Sequence, residues 1–142
     1  MTTITTKIYS LEPVLEVNHL EETLKYYQDV LGFSVDWIWP NEGLATHASV
    51  SFGLGHGSDD HDEDHDDHHI HIQLTQAEEV PVATSGWLYL RVNDNIDKLY
   101  EDLISRGANV TSELEDRTWG MREFDIKDIN NHHFRFGLPI SK

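Results

Sequence analysis

The chain has 142 residues, no cysteine and a formal net charge of −16 with histidines neutral. That length suits one domain with a real core, and no apolar run is long enough to cross a bilayer. The charge argues against nucleic acid or anionic membranes as partners and for cations, and with no disulfide framework or signal-like start a cytoplasmic location is expected.

Taken in order, Met1–Lys7 is polar and Thr-rich, and Tyr9–Val17 alternates as a strand, with Val14 and Glu16 opposite Leu15 and Val17. Leu20, Leu24, Tyr27 and Leu31 recur at three- and four-residue spacing and predict a helix over Leu20–Leu31. Glu21 and Glu22 suit its positive end, and Gly32 follows its last turn. Phe33–Trp39 reads as a strand, Pro40–Gly43 as a turn, and Ala45–Leu54 and Ile70–Thr75 as two more strands. The order then repeats. Gly86–Val92 is a strand, and Ile96–Arg106 is a helix with Asp94 or Asn95 as N-cap and Gly107 closing it. Asn109–Glu115 is a further strand.

Asp116–Gly137 then reads as a hairpin. Met121, Glu123 and Asp125 alternate with Arg122, Phe124 and Ile126, the pattern of a half-buried strand. Lys127–Asn131 is a turn, because Asp and Asn bond their own backbone and Asn tolerates positive φ. Phe134 and Phe136 alternate with His133 and Arg135 in the last strand. Each half is therefore βαβββ, and an internal repeat of this kind decides the fold before any single motif does. The expected class is α+β, one domain over 1–142 made of two βαβββ modules at about 8–76 and 86–138.

The run Trp119, Gly120, Arg122, Glu123, Phe124, then Asp128 and Asn131, then Phe134, Phe136 and Gly137 resembles the closing strands of the glyoxalase/bleomycin-resistance/dioxygenase proteins, the vicinal oxygen chelate superfamily. Ile129 and Asn130 stand where the usual turn has Pro and Gly. Tyr26, Tyr27, Leu31, Gly32 and Phe33 match the family's first-helix pattern, and Val92, Asp94, Leu99, Tyr100, Leu103, Gly107 and Ala108 its second-module opening. The resemblance implies curved mixed sheets around a cleft, and a homodimer, often with modules exchanged between subunits.

Metal enzymes of the superfamily place His, Gln or Glu at four inward strand positions. Carried across by strand motif, these are Glu12, Gln73, Trp87 and Arg135. Trp87 cannot ligate and Arg135 is a cation, so the resemblance points toward a non-catalytic binder of a small molecule, bleomycin-type cationic antibiotics being the family precedent. A divalent-metal lyase, isomerase or dioxygenase using Glu12, His71 or Gln73 and His133 is the alternative. In the family register, Glu12, Val14, Glu16, His71, Gln73, Trp87, Tyr89, Arg91, His133 and Arg135 face inward. They form either a mixed aromatic and polar binding cleft or a filled interior held by pairs such as Glu16–Arg91 and Glu12–Arg135. Trp37 and Trp39 share one strand face and line the cleft or a subunit interface. Trp119 borders the groove in relatives, although a strand-end hydrophobe beside a bulge at Gly120 explains it as well.

Residues 56–69 carry His56, His61, His65, His68 and His69 among seven acids: Asp59, Asp60, Asp62, Glu63, Asp64, Asp66 and Asp67. Imidazole and carboxylate are the ligand set for Zn, Ni, Cu or Co, which makes the tract a candidate transition-metal site. Its lack of hydrophobes equally fits a mobile low-complexity segment. No other cofactor is indicated.

Overall fold

Two four-stranded sheets and two helices share one hydrophobic core, in the order β1 (Val14–Val17), α1 (Leu20–Asp29), β2 (Ser34–Trp39), β3 (His47–Phe52), β4 (Ile70–Gln76), β5 (Trp87–Arg91), α2 (Ile96–Ser105), β6 (Asn109–Asp116), β7 (Met121–Lys127) and β8 (His133–Pro139). The computed structural model describes residues 4–8, 10–52, 70–78 and 86–140. Sheet A runs β1-β4-β3-β2 and sheet B runs β5-β8-β7-β6. In each, the first strand is parallel to the last and the remaining pairs are antiparallel. This is the α+β architecture expected from the repeat. Each sheet turns one face to the core and leaves an open face on the other side.

The first strand is shorter than the sequence predicts. Regular pairing begins at Val14, because Pro13 has no N–H to donate and enters the sheet only through its carbonyl, which accepts from Gln73 N (2.9 Å). Helix α1 buries Leu20, Leu24 and Tyr27 as its spacing dictates. Its N-cap, His19, makes no side-chain cap. Gln76 of β4 does that work instead, its Oε1 accepting from Leu20 N at 2.8 Å. A missing cap costs about 1 kcal/mol, while each buried large apolar side chain contributes about 1.5–3 kcal/mol, so the packed stripe decides that the helix forms.

Asn95 begins α2 at φ 57 without a side-chain cap. The predicted stop at Gly107 is a Schellman closure: Gly107, at φ 96, donates to Ile104 O (3.0 Å) and Ala108 to Leu103 O (2.9 Å). Gly120, expected as a bulge, is instead a turn residue at φ 91 in the β6–β7 hairpin, where its N–H reaches Arg117 O at 3.1 Å.

The 128–131 turn joins the two halves. Asp128 Oδ1 accepts from the backbone N–H groups of Asn130 and His132, both at 2.8 Å, and Asn131 takes φ 70. Asp128 Oδ2 accepts from the buried Tyr27 hydroxyl of α1 at 2.6 Å. Asn130 Oδ1 accepts from Asn18 N (3.1 Å), its Nδ2 donates to Thr23 Oγ1 (3.1 Å), and His132 Nε2 donates to Glu16 O (2.8 Å). Tyr27 also packs on Phe134, with ring centroids 6.2 Å apart. A turn signal in the second module is thus a clamp on the first.

Candidate functional site

Sheet register sorts the open-face residues. Ile72 and Leu74 of β4 are buried in the core, so His71, Gln73 and Thr75 lie on the open face. Their partners on β3 are Ser51, Ser49 and His47. On β2 a bulge between Val35 and Trp37 breaks the two-residue period. Asp36, Trp37 and Trp39 therefore all serve the open face, where counting by two would send Asp36 to the core.

Asp36 accepts from Ser49 Oγ (2.8 Å), Ser51 Oγ (2.8 Å) and His71 Nδ1 (3.1 Å). Burial pushes its carboxyl up, but the three hydrogen bonds outweigh that and hold it below the usual range. An ionised carboxylate only accepts, so His71 carries its proton on Nδ1 in this pair. Beside it, Gln73 Nε2 donates to Glu12 Oε1 at 3.0 Å. The open face of sheet A is acidic, with Glu12, Glu16 and Asp36.

Sheet B differs. Strand β7 was expected to be half-buried, yet Glu123 and Asp125 on its open face are only 2% and 4% exposed. Arg117, Tyr89 and Arg135 cover them. Tyr89 Oη donates to Glu123 Oε2 at 2.6 Å, and Arg117 Nε lies 3.6 Å from Glu123 Oε1. Arg117 also reaches Glu115 and, at 3.0 Å, Ser112 Oγ. Arg135 grips Asp125 with Nε and one terminal nitrogen, at 2.7 and 3.0 Å. The Arg135 guanidinium lies 5.0 Å from the centroid of Trp87, on which His133 stacks at 4.5 Å. Arg91 sits 5.7 Å from the ring of Tyr89. The anticipated Glu16–Arg91 and Glu12–Arg135 ion pairs do not occur among the described residues, since Arg135 is engaged by Asp125 and Glu12 by Gln73.

Four of the ten Lys and Arg residues, Arg91, Arg117, Lys127 and Arg135, thus share one open face of a chain whose net charge is −16. Sequence reading named the Trp, Tyr and Arg residues of this face. It missed Arg117 and the burial of Glu123 and Asp125, because only pairing shows that three side chains converge over β7. Trp119 stands 62% exposed on the β6–β7 hairpin, outside the strand rows. His56, His61, His65, His68 and His69 lie outside the described residues.

The four family metal positions form two dissimilar pairs: Glu12 with Gln73, and Trp87 with Arg135. Two oxygen donors, an indole and a cation already bound to a carboxylate do not fit a divalent ion. No group of three or more His, Cys, Asp or Glu among the described residues is placed to hold one. A separate groove of about 500 Å³ runs along α1 to Ile129 and Asn130, and its polar walls pair with one another, Lys25 with Asp29 and Asn130 with Thr23.

Two phenols in these networks set an alkaline limit. Tyr27 is held well above the usual value of 10 by burial and then by the Asp128 carboxylate. Tyr89 is pushed up to about 12 by burial and then by its hydrogen bond to Glu123. Unfolded tyrosines release their protons near pH 10, so above that the native state holds more protons than the unfolded one. The stabilisation is complete below about pH 10 and is lost as the pH rises toward and through the folded values. Urea midpoints measured across this range should hold steady and then fall. Tyr27→Phe should make the fall shallower, and an unchanged slope would show that Tyr27 does not drive it.

No helix among the described residues is long and apolar enough to cross a membrane. Solved structures of the same fold include TioX from Micromonospora sp. ML1, with 16% identity, a TM-score of 0.65 and coverage of 94% of this chain and 98% of that one. A glyoxalase-related enzyme from Clostridium phytofermentans shares 20% identity with a TM-score of 0.68, covering 96% and 98%. A glyoxalase/bleomycin resistance protein/dioxygenase superfamily member from Sphaerobacter thermophilus shares 20% with a TM-score of 0.67, covering 93% and 98%. No curated protein matches the sequence significantly. The family's sequence profile matches residues 11–136, nearly the whole chain, and with the paired βαβββ modules it assigns this protein to the Glyoxalase/Bleomycin resistance protein/Dioxygenase superfamily.

Proposed function

We propose that the protein is a non-catalytic small-molecule binder of the bleomycin-resistance kind, working as a cytoplasmic homodimer. The observation that carries this reading is the set of large aromatic side chains left on the open faces: Trp37, Trp39, Trp87 and Tyr89 are 45%, 59%, 49% and 44% exposed. Rings displayed on braced strands beside a few fixed polar groups are what a groove for a planar ligand needs. Two copies related by a twofold axis would set the acidic open face of sheet A against the open face of sheet B and so enclose the rings. On that second face Arg117 and Arg135 are already paired with Glu115, Glu123 and Asp125, and Arg91 and Lys127 make no ion pair among the described residues.

Titration with a bleomycin-type glycopeptide, followed by tryptophan fluorescence, tests the reading. Saturable quenching that is indifferent to chelator is expected, with affinity falling roughly tenfold in Trp87→Ala, in line with about 1–3 kcal/mol for a lost stacking contact. Light scattering should give twice the chain mass. Quenching abolished by chelator, or a monomer that binds with full affinity, would overturn it.

A further inference from the structure

The bulge between Val35 and Trp37 turns Asp36 onto the open face of sheet A. Register fixes what surrounds it: Ser49 lies opposite Trp37 across β2 and β3, and Ser51 lies opposite His71 across β3 and β4. The three polar neighbours spend hydrogens on this one carboxylate. Ser49 Oγ and His71 Nδ1 donate to Oδ2 at 2.8 and 3.1 Å, and Ser51 Oγ donates to Oδ1 at 2.8 Å.

That accounting limits what the surface can receive. An ionised carboxylate only accepts, and a hydroxyl whose hydrogen is taken has only lone pairs left. Oδ1 carries one of these hydrogen bonds where Oδ2 carries two, and the Asp36 side chain is still 25% exposed. Ser49 is buried and anchors the carboxylate from below, while Ser51 is only half-buried beside Oδ1. No lysine or arginine pairs with Asp36 among the described residues. Toward solvent, Asp36 and Ser51 therefore present acceptors and a negative charge.

The indoles supply the other half of the surface. Trp37 follows Asp36 in the chain and keeps nearly half its area open, and Trp39 is braced edge-to-face by His47 with ring centroids 5.7 Å apart. The face of an indole attracts positive charge, as the carboxylate does. We infer that Asp36, Ser51 and Trp37 form a subsite for an organic cation bearing N–H groups, an ammonium or guanidinium on an aromatic body. Its N–H groups go to Asp36 Oδ1 and Ser51 Oγ, and its body lies on Trp37. The inference rests on the binding reading above but needs only one sheet of one subunit. An anion meets Asp36 with like charge, and a neutral hydroxyl brings lone pairs that these oxygens cannot answer.

Calorimetric titration of the full-length protein compares three probes built on one ring: naphthylmethylammonium, its trimethylated analogue and neutral naphthylmethanol. The trimethylated form keeps the charge without N–H, and the alcohol keeps a donor without the charge. The primary ammonium should bind at least about tenfold more tightly than either. Asp36→Asn should bring it down to the affinity of the alcohol. Ser51→Ala, a change at a half-buried side chain, should weaken it about threefold and leave the trimethylated form unchanged. Trp37→Ala should weaken all three alike. Either control matching the primary ammonium, or tight binding that survives Asp36→Asn, would overturn the subsite while leaving an aromatic groove. Binding of none of the three would overturn it too, and the glycopeptide titration on the same sample then shows whether the binding reading falls with it.

Discussion

Asp128→Ala is expected to lower stability by about 3–5 kcal/mol, because it strands three buried donors at once. The carboxylate holds Tyr27 Oη at 2.6 Å and the backbone N–H groups of Asn130 and His132 at 2.8 Å each. Tyr27 is fully buried, so its hydroxyl finds no water when the acceptor goes. The turn it shapes also carries Asn130 to Asn18 and Thr23, and His132 to Glu16. Asp128→Asn keeps one oxygen for the turn and should cost about 1–2 kcal/mol. Equilibrium urea unfolding measures both. The midpoint should move with the slope unchanged, and a loss below about 1 kcal/mol for the alanine variant would mean that the clamp is not what joins the halves.

Gly137→Ala should cost about 1–3 kcal/mol, through overpacking against Tyr89 and the loss of its part-buried hydrogen bond to Glu123. Gly137 is in a strand without positive φ, so space, not backbone conformation, demands glycine there. A Cβ would come within 2.0 Å of Tyr89 Oη, 2.7 Å of Tyr89 Cζ and 3.2 Å of Glu123 Cγ. The phenol lies across the glycine to reach Glu123 Oε2, and a methyl group lifts it off. Glu123 is 2% exposed and would then keep only the arginines, with Arg117 Nε 3.6 Å and Arg135 Nε 4.0 Å from its Oε1. A double-mutant cycle with Tyr89→Ala isolates this cause. With the ring gone, Gly137→Ala should cost under about 1 kcal/mol, and strictly additive losses would refute the contact.

Both variants probe features that sequence reading reached only halfway. The 128–131 turn was legible because Asp and Asn bond their own backbone, and Asn131 indeed takes φ 70. That the same turn receives the Tyr27 hydroxyl from a helix 101 residues away in the chain was not. Tyr89 and Arg135 were expected to face inward with Trp87 and Arg91. The carboxylates beneath them, Glu123 and Asp125, looked like the wet side of a strand because alternation reports polarity and not what covers it. Asp36 was hidden by the bulge at Val35–Trp37, which has no composition signal and reverses the parity of every residue after it. Where Glu16–Arg91 and Glu12–Arg135 pairs offered a bland interior, the actual partner of Arg135 is Asp125, its register neighbour across β7 and β8, and that of Glu12 is Gln73, whose register neighbour is Val14 two residues on.

The sequence by itself determined what depends on local periodicity and order. Three- and four-residue apolar spacing made α1 and α2, two-residue alternation made most of the strands, and the repetition of both gave two βαβββ modules in one α+β domain. Residue identity at Trp87 and Arg135 already argued against a divalent ion at the family's metal positions. Only tertiary structure decided how the polar groups are spent. Gln76 caps α1 from 56 residues away, the 128–131 turn clamps the halves together, and the acids of β7 vanish beneath Tyr89, Arg117 and Arg135. The physical reason is that apolar burial is non-directional and follows pattern alone, whereas a hydrogen bond or ion pair needs a particular atom within about 3 Å, and only the folded chain brings distant atoms that close.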